Sequence, residues 1–320
     1  MMNSIHEKID WRQLSEFLAR MNRLKQHHVG YCGEQEEEIY GTLMEDFAEE
    51  TKRGRRFSVI ARDGRMIGAL GFQVDEESRS AEIWGPFIDA EETEWAPLAN
   101  QLWSEGLSKL DAAVDTMYGF YNMENAFCAQ FMAEWRAERS GIHTILKSRG
   151  KSREIWISDS TFAESTGVQD ITPEYEAAFL RLHEMTFPDT YYGARRILDR
   201  LNGDRRLFAA VEHGELTGYV YVEAEPEFRE GSIEYIAVSS DFQRRGYGKK
   251  LLARALRYLF ENVGAEEISL CVRQDNIAAI RLYESMGFET EHQLAAFVLK
   301  VAGRSLVQEQ GRFGAPSERS

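Results

Sequence analysis

The chain has 320 residues, 43% of them hydrophobic and 28% charged, with a formal net charge of −15 and a pI near 5.1. That length predicts two domains, each able to bury its own core, and the acidic balance argues against nucleic-acid partners while favouring a cationic substrate. No apolar run approaches the roughly 18–20 residues of a membrane span. The opening MMNSIHEKIDWRQ lacks the apolar stretch of a signal peptide, so a cytoplasmic location is expected.

Helical spacing of Trp11, Leu14, Phe17, Leu18 and Met21, and of Ile39, Leu43, Met44 and Phe47, predicts helices over 11–28 and 34–50. Strands are predicted at 57–62 and 66–74 around the Asp63-Gly64 turn, and near 81–88. A helix over 92–109, a strand near 117–120, a helix over 124–139 and strands near 142–147 and 153–157 complete this half. Residues 158–168 (SDSTFAESTGV) are small and polar and read as a linker.

The same order of elements then starts again. Helices are predicted over 173–186 and 194–201, and strands over 207–212 and 216–224, joined at His213-Gly214 where the first half has Asp63-Gly64. A strand over 232–238 leads through a glycine-bearing loop into a helix over 248–263. A strand at 267–272, a helix at 277–286 and strands over 288–293 and 295–301 follow. The division is therefore 1–157, a linker at 158–168, a second domain at 169–303 and a polar, frayed tail at 304–320.

Cys32, Cys128 and Cys271 lie far apart and form no ligand spacing, so free thiols at least partly buried are expected. His27 and His28 are adjacent, with no second ligand pair nearby, and read as a solvated helix end. No metal is expected. Trp84, Trp95, Trp103 and Trp135 are read as core or interface residues.

The chemistry concentrates at Ile233–Lys250. A strand enters a turn containing Gly246 and Gly248, and a helix with an apolar face of Leu251, Leu252, Ala255, Leu256 and Leu259 follows. Glycine lets the main chain approach a ligand, and the first turn of a helix offers unpaired N–H groups to a phosphate. Arg244, Arg245, Lys249 and Lys250 add positive charge with no acid among them. In so acidic a chain, that concentration predicts an anionic ligand.

Gln243-Arg244-Arg245-Gly246-Tyr247-Gly248 resembles the Q/R-x-x-G-x-G/A signature of the GNAT acetyltransferase superfamily, and Asn276–Phe288 is similar to its N-x-x-A-x-x-x-Y-x-x-x-G-F segment. The resemblance is strong over about 168–301 and weaker over 1–157. It implies a mixed α/β fold of two tandem domains, each a twisted, mostly antiparallel sheet flanked by helices. It also implies transfer of an acetyl group from acetyl-CoA directly to an amine. Ile236, Ala237 and Val238 would bond the pantetheine arm, and the amides of Arg244, Arg245, Gly246, Tyr247, Gly248 and Lys249 would cradle the pyrophosphate. Gln243 falls within that signature, and Asn276 would also contact the cofactor. Tyr283 would protonate the leaving thiolate.

For the base, Glu234 lies two residues before Ile236, so both are expected on the same strand face. Asp189, Tyr191 and Tyr192 stand in the loop that lines the acceptor site in GNAT enzymes, and an acid among tyrosines suits a cation. Element order sets Asp89–Pro97 of the first half against the glycine loop. It has no glycine pair and four carboxylates, and Met132 stands opposite Tyr283, so this half reads as a degenerate domain without a second cofactor site. The expected partner is an amine-bearing small molecule or peptide, and the chain is expected to be a monomer or homodimer. The alternative is a CoA-binding sensor without turnover.

Overall fold

Asp10 opens the first helix by accepting the N–H groups of Arg12 and Gln13, and α1 (Trp11–Asn22) buries Leu14, Phe17, Leu18 and Met21. The structure is a computed structural model and describes residues 9–47, 57–110, 114–150, 167–188, 190 and 192–301. Helix α1 stops at Asn22, short of the expected 28, because that buried side chain organises the next turn. Its Nδ2 donates to the carbonyls of Cys32 and Gly33 at 2.6 and 2.9 Å, and its Oδ1 accepts from Val29 N–H at 2.6 Å. A short 3-10 turn (Lys25–His27) follows. His28 is buried with its ring nitrogen 2.8 Å from Asn22 O, so it is no solvated helix end. Helix α2 (Glu36–Thr42) continues as a wider π turn over Leu43–Phe47.

The first half continues through β1 (Phe57–Arg62), β2 (Arg65–Asp75), β3 (Ser80–Ile88), α3 (Glu92–Lys109), β4 (Thr116–Asn122), α4 (Ala126–Glu134) and β5 (Glu138–Arg149). Helix α4 ends five residues before the expected Arg139. Arg136 adopts a left-handed backbone (φ 59) and Ala137 N–H turns back to Met132 O at 2.9 Å. A non-glycine residue in that role gives no warning in the sequence. The expected strand at 153–157 lies outside the described residues, as does most of the expected linker.

The second half contains β6 (Val168–Asp170), α5 (Pro173–Thr186), α6 (Ala194–Arg200), β7 (Arg205–Glu212), β8 (Glu215–Glu225), β9 (Glu230–Val238) and α7 (Tyr247–Arg257), extended by a π turn over Tyr258–Val263. Then come β10 (Glu267–Arg273), α8 (Ile277–Glu284) and β11 (Glu289–Lys300). The two strands expected over 288–293 and 295–301 are this one strand.

Two compact units emerge, and they do not follow the linear order of the halves: one joins residues up to 142 with those from 293 onward, the other holds His143–His292. Within the first unit the strands are ordered β1-β2-β3-β4-β11, and within the second β5-β10-β9-β8-β7-β6. Each thus takes its strand beyond β4 or β10 from the other half of the sequence. Strand β11 lies antiparallel to β4 over Leu294–Lys300, and β5 lies antiparallel to β10 over His143–Arg149. Ion pairs of Glu267 with Lys147 (2.7 Å) and Arg149 (2.8 Å) sit on the second pairing. Leu146 is fully buried in the core that contains Leu251, Leu256, Ile268 and Phe288. Leu146→Ala is expected to destabilise that second unit by about 2 kcal/mol, and the urea midpoint of a probe within residues 168–288 measures it.

Among the described residues, no helix is long and apolar enough to cross a membrane.

Candidate active site

Strand β9 pairs with β10 in parallel from Glu230/Glu267 to Ile233/Leu270 and then leaves it. Its residues 235–238 stay paired with β8 but, among the described residues, have no strand on the other side. The separation begins at a bulge: Tyr235 faces Tyr221 and Ile233 faces Val222, leaving Glu234 as the extra residue. The alternation that set Glu234 on the face of Ile236 therefore does not apply. What results is a wedge between two strands, with a main-chain edge at Ile236, Ala237 and Val238 that no strand among the described residues covers.

The wedge points at the glycine loop. Ser240–Phe242 makes one 3-10 turn, Gln243 Nε2 donates to Val238 O at 3.1 Å, and the left-handed Gly246 (φ 86) leads into α7. Arg244 is also left-handed (φ 62), the geometry by which short loops gather N–H groups into an anion-binding concavity. Among the described residues, the amides of Arg244 to Lys249 have no main-chain acceptor; Lys250 N–H to Gly246 O, at 3.1 Å, starts the helical ladder. A side chain at Gly246 would meet nothing within 4 Å, so the main chain there is open to a ligand. No ion pair ties Arg244, Arg245, Lys249 or Lys250 to a carboxylate among the described residues. Arg245 rests instead over Phe242 (5.2 Å) and Lys250 over Tyr247 (5.4 Å). The Tyr247 ring itself is packing, held by a hydrogen bond to Glu212. Unpaired amides and unspent cations fit a diphosphate group, and the free strand edge fits an amide-bearing arm.

Helix α8 closes the other side. Asn276 caps it, accepting Ala279 N–H at 3.2 Å, which leaves its amide donors for a ligand. Leu282 lies where a side chain on Gly248 would come to 3.1 Å, so the first turn of α7 and α8 pack closely. Tyr283 is buried edge-on to Phe288 at 6.0 Å, and among the described residues its hydroxyl has no hydrogen-bond partner. Burial first, and the neighbouring Cys271 second, push it up to about 12. Cys271, on β10 just past the last pair with β9, is exposed rather than at least partly buried as expected, because among the described residues no strand covers it on the wedge side. Protein atoms around it, with Glu234 adding, push its thiol up to about 12, so it is a poor nucleophile.

Glu234 is raised above the ordinary carboxylate range, first by the protein crowding it. Glu223 and Glu225 add to this, while Ser232 and Arg200 oppose it. Its side chain still reaches solvent, so crowding and access together describe a shallow depression rather than a sealed pocket. Glu234 raises the thiol of Cys271, and Cys271 in turn raises the hydroxyl of Tyr283, at the end of the β9–β10 pairing.

On the opposite face of β9, α5 and α6 carry the loop read as the acceptor wall. Asp189 and Tyr191 lie outside the described residues. Tyr192 is described, with Arg200 4.2 Å over its ring. It meets three residues that sequence reasoning passed over. His183, Tyr219 and Tyr235 form an aromatic group with Phe179 and Phe187, in which the ring of His183 lies 4.9 Å from that of Tyr235. The available signal was Phe179 and His183 one helical turn apart on α5, and Tyr235 beside Glu234.

The first unit repeats the geometry and fills it. Strand β3 pairs with β4 only from Ser80 to Glu82 and then leaves it. Beyond that point His28–Gly30 takes the vacant edge of β4, with Val29 bridging Tyr121 and Gly30 N–H bonding Phe120 O at 2.7 Å. Tyr121 Oη donates to Gly85 O (2.9 Å), and Cys128 Sγ lies 3.5 Å from Pro86 O. The turn into α3 is three residues, 89–91, against eight, 239–246, before α7. Two of the four acids of Asp89–Pro97 are already matched: Asp89 by Arg20 and Arg65, Glu94 by Arg62. Met132 is fully buried where α8 has Tyr283, although Asn125 caps α4 as Asn276 caps α8. Trp84, Trp95 and Trp103 are buried core residues here, and Trp135 packs on Trp103.

Comparison with known proteins agrees with this geometry. A model of the Acetyltransferase (GNAT) family matches residues 168–288. An acetyltransferase of Yersinia enterocolitica is 30% identical over 112 residues, 35% of this chain and 73% of that protein. Mycothiol acetyltransferase of Paenarthrobacter aurescens is 24% identical over 240 residues, 72% of this chain and 70% of that one. In fold, a solved tandem GNAT protein from the clavulanic acid biosynthesis pathway matches 94% of this chain and 97% of its own, with a TM-score of 0.61 at 15% identity. The wedge, the amide-lined loop and these matches lead to one conclusion: the chain belongs to the GNAT acetyltransferase family.

Proposed function

We propose that this protein transfers the acetyl group of acetyl-CoA directly to an amine, at one site per chain, in the second unit. The observation that carries the reading is the run of unpaired amides at Arg244–Lys249, placed at the mouth of the β9–β10 wedge. In this reading the free edge of Ile236–Val238 binds the pantetheine arm, and the loop amides with Arg244, Arg245 and Lys249 hold the diphosphate. Gln243 keeps the loop on β9, and Asn276 offers its remaining donors.

Glu234 takes a proton from the acceptor, directly or through water, so that a neutral amine attacks the thioester carbon. Main-chain N–H groups at the wedge stabilise the charge developing on the carbonyl oxygen. As the carbon–sulfur bond breaks, Tyr283 donates its hydroxyl proton to the departing thiolate.

Thiol release from acetyl-CoA across a panel of primary amines, including small polyamines, amino sugars, amino acids and peptides, tests the reading. Acetyl-CoA binding without thiol release for any amine would support a CoA sensor instead. Glu234→Gln gives a finer test. The base form exists above the raised carboxyl pKa, so wild-type kcat/KM should rise with pH through that value. The variant should lose this limb and fall about 10–100-fold near neutrality.

A further inference from the structure

Both main-chain groups of Tyr192 are held by side chains from other elements. Its N–H donates to the Tyr235 hydroxyl on β9 at 3.2 Å, and its carbonyl lies 2.9 Å from His183 Nε2 on α5. A carbonyl can only accept, so Nε2 carries the proton and donates. Nδ1 is then an acceptor for the Tyr219 hydroxyl at 2.6 Å. This is a neutral, fully bonded imidazole, in keeping with a pKa lowered first by burial. Thr190 Oγ1 also donates to Tyr235 at 2.6 Å. Tyr235 thus fixes two residues of the loop between α5 and α6 to the strand that carries Glu234. The rings reinforce it: Tyr235 meets His183 at 4.9 Å and Phe187 at 5.2 Å, and stacks on Tyr221 at 6.4 Å.

We propose that Tyr235 and His183 are positioning residues that clamp Tyr192, with Thr190 tied to the same hydroxyl, and so hold Tyr192 in place for recognition of the acceptor amine. The inference rests on the acetyl-transfer reading above. A loop tied at one point can swing about it; one tied through consecutive main-chain groups from two sides cannot. Acceptor affinity therefore depends on the clamp, whereas the acetyl-CoA loop, which begins beyond Val238, makes none of the clamp's hydrogen bonds.

Tyr235→Phe removes the hydroxyl and keeps the ring contacts; Thr190→Val removes one bond and spares the Tyr192 N–H. The first readout needs no substrate. Amide exchange at Tyr192 should quicken about tenfold in Tyr235→Phe, with β9 amides unchanged and Thr190→Val close to wild type. Unchanged Tyr192 exchange overturns the clamp, and so does loosening spread over the whole second unit. The second readout uses an amine that wild type acetylates. KM for that amine should rise about tenfold, with kcat and the acetyl-CoA Kd within about twofold. A drop in kcat at constant KM, or weaker acetyl-CoA binding, contradicts the proposal. Wild-type silence toward every amine condemns the acetyl-transfer reading and, with it, the acceptor role of the clamp, separately from the exchange result.

Discussion

Gly246→Glu is expected to weaken acetyl-CoA binding about 10³-fold, roughly 4 kcal/mol, from two sources that add. The first is conformational. Residue 246 has a left-handed backbone, which costs a residue with a side chain about 1–2 kcal/mol. The second is electrostatic: the new carboxylate would stand among the amides of Arg244–Lys249, opposite a doubly charged diphosphate. Since a side chain there meets no protein atom within 4 Å, the loss falls on the ligand rather than on packing. Gly246→Ala separates the two sources, keeping the backbone cost alone and losing about tenfold. Ala90→Gly, in the corresponding turn of the first unit, should leave binding unchanged, and calorimetric titration of wild type should give one acetyl-CoA per chain. Unaltered affinity in Gly246→Glu would remove the loop from the cofactor site.

Tyr283→Phe should lower kcat about 10²–10³-fold, as loss of a positioned proton donor does, with the Kd for acetyl-CoA unchanged. The ring against Phe288 is kept, so the variant should fold like wild type. The pH profile carries the sign. A hydroxyl pushed up to about 12 is protonated, and therefore able to donate, everywhere below that value. Wild-type kcat should accordingly show no alkaline fall from this group up to about pH 11. The variant should be slow across the whole range rather than shifted along it. Steady-state kinetics at several pH values checks both features, and a variant with wild-type kcat would deny Tyr283 the role of acid.

The two halves show how differently the same plan reads from sequence. Gln243–Gly248 was legible because its requirements are local. The left-handed turn at Gly246, the helix-start amides and the run of cations follow from consecutive residues, whatever lies across the sheet, whereas the left-handed Arg244 was not announced. Asn276 and Tyr283, seven residues apart around one short helix, were legible for the same reason, as was the loss of both the glycine pair and the tyrosine in the first half. Helix α4 shows the limit of local reading: Arg136 ends it in a conformation that the sequence does not announce, while Gly287 announces the end of the region after α8.

What the chain specified by itself was therefore the inventory: two rounds of elements, one loop able to grip an anion, one tyrosine and one carboxylate nearby. Only the tertiary structure decided who pairs with whom. It gave β5 to β10 and β11 to β4, let His28–Gly30 fill the first wedge, lifted Glu234 out of register, and brought His183 and Tyr235 to the two sides of Tyr192. The physical reason is that strand edges and aromatic faces are interchangeable as patterns. Their partners are chosen by which edge lies free and which side chains pack once distant segments meet, a choice that no window of neighbouring residues contains.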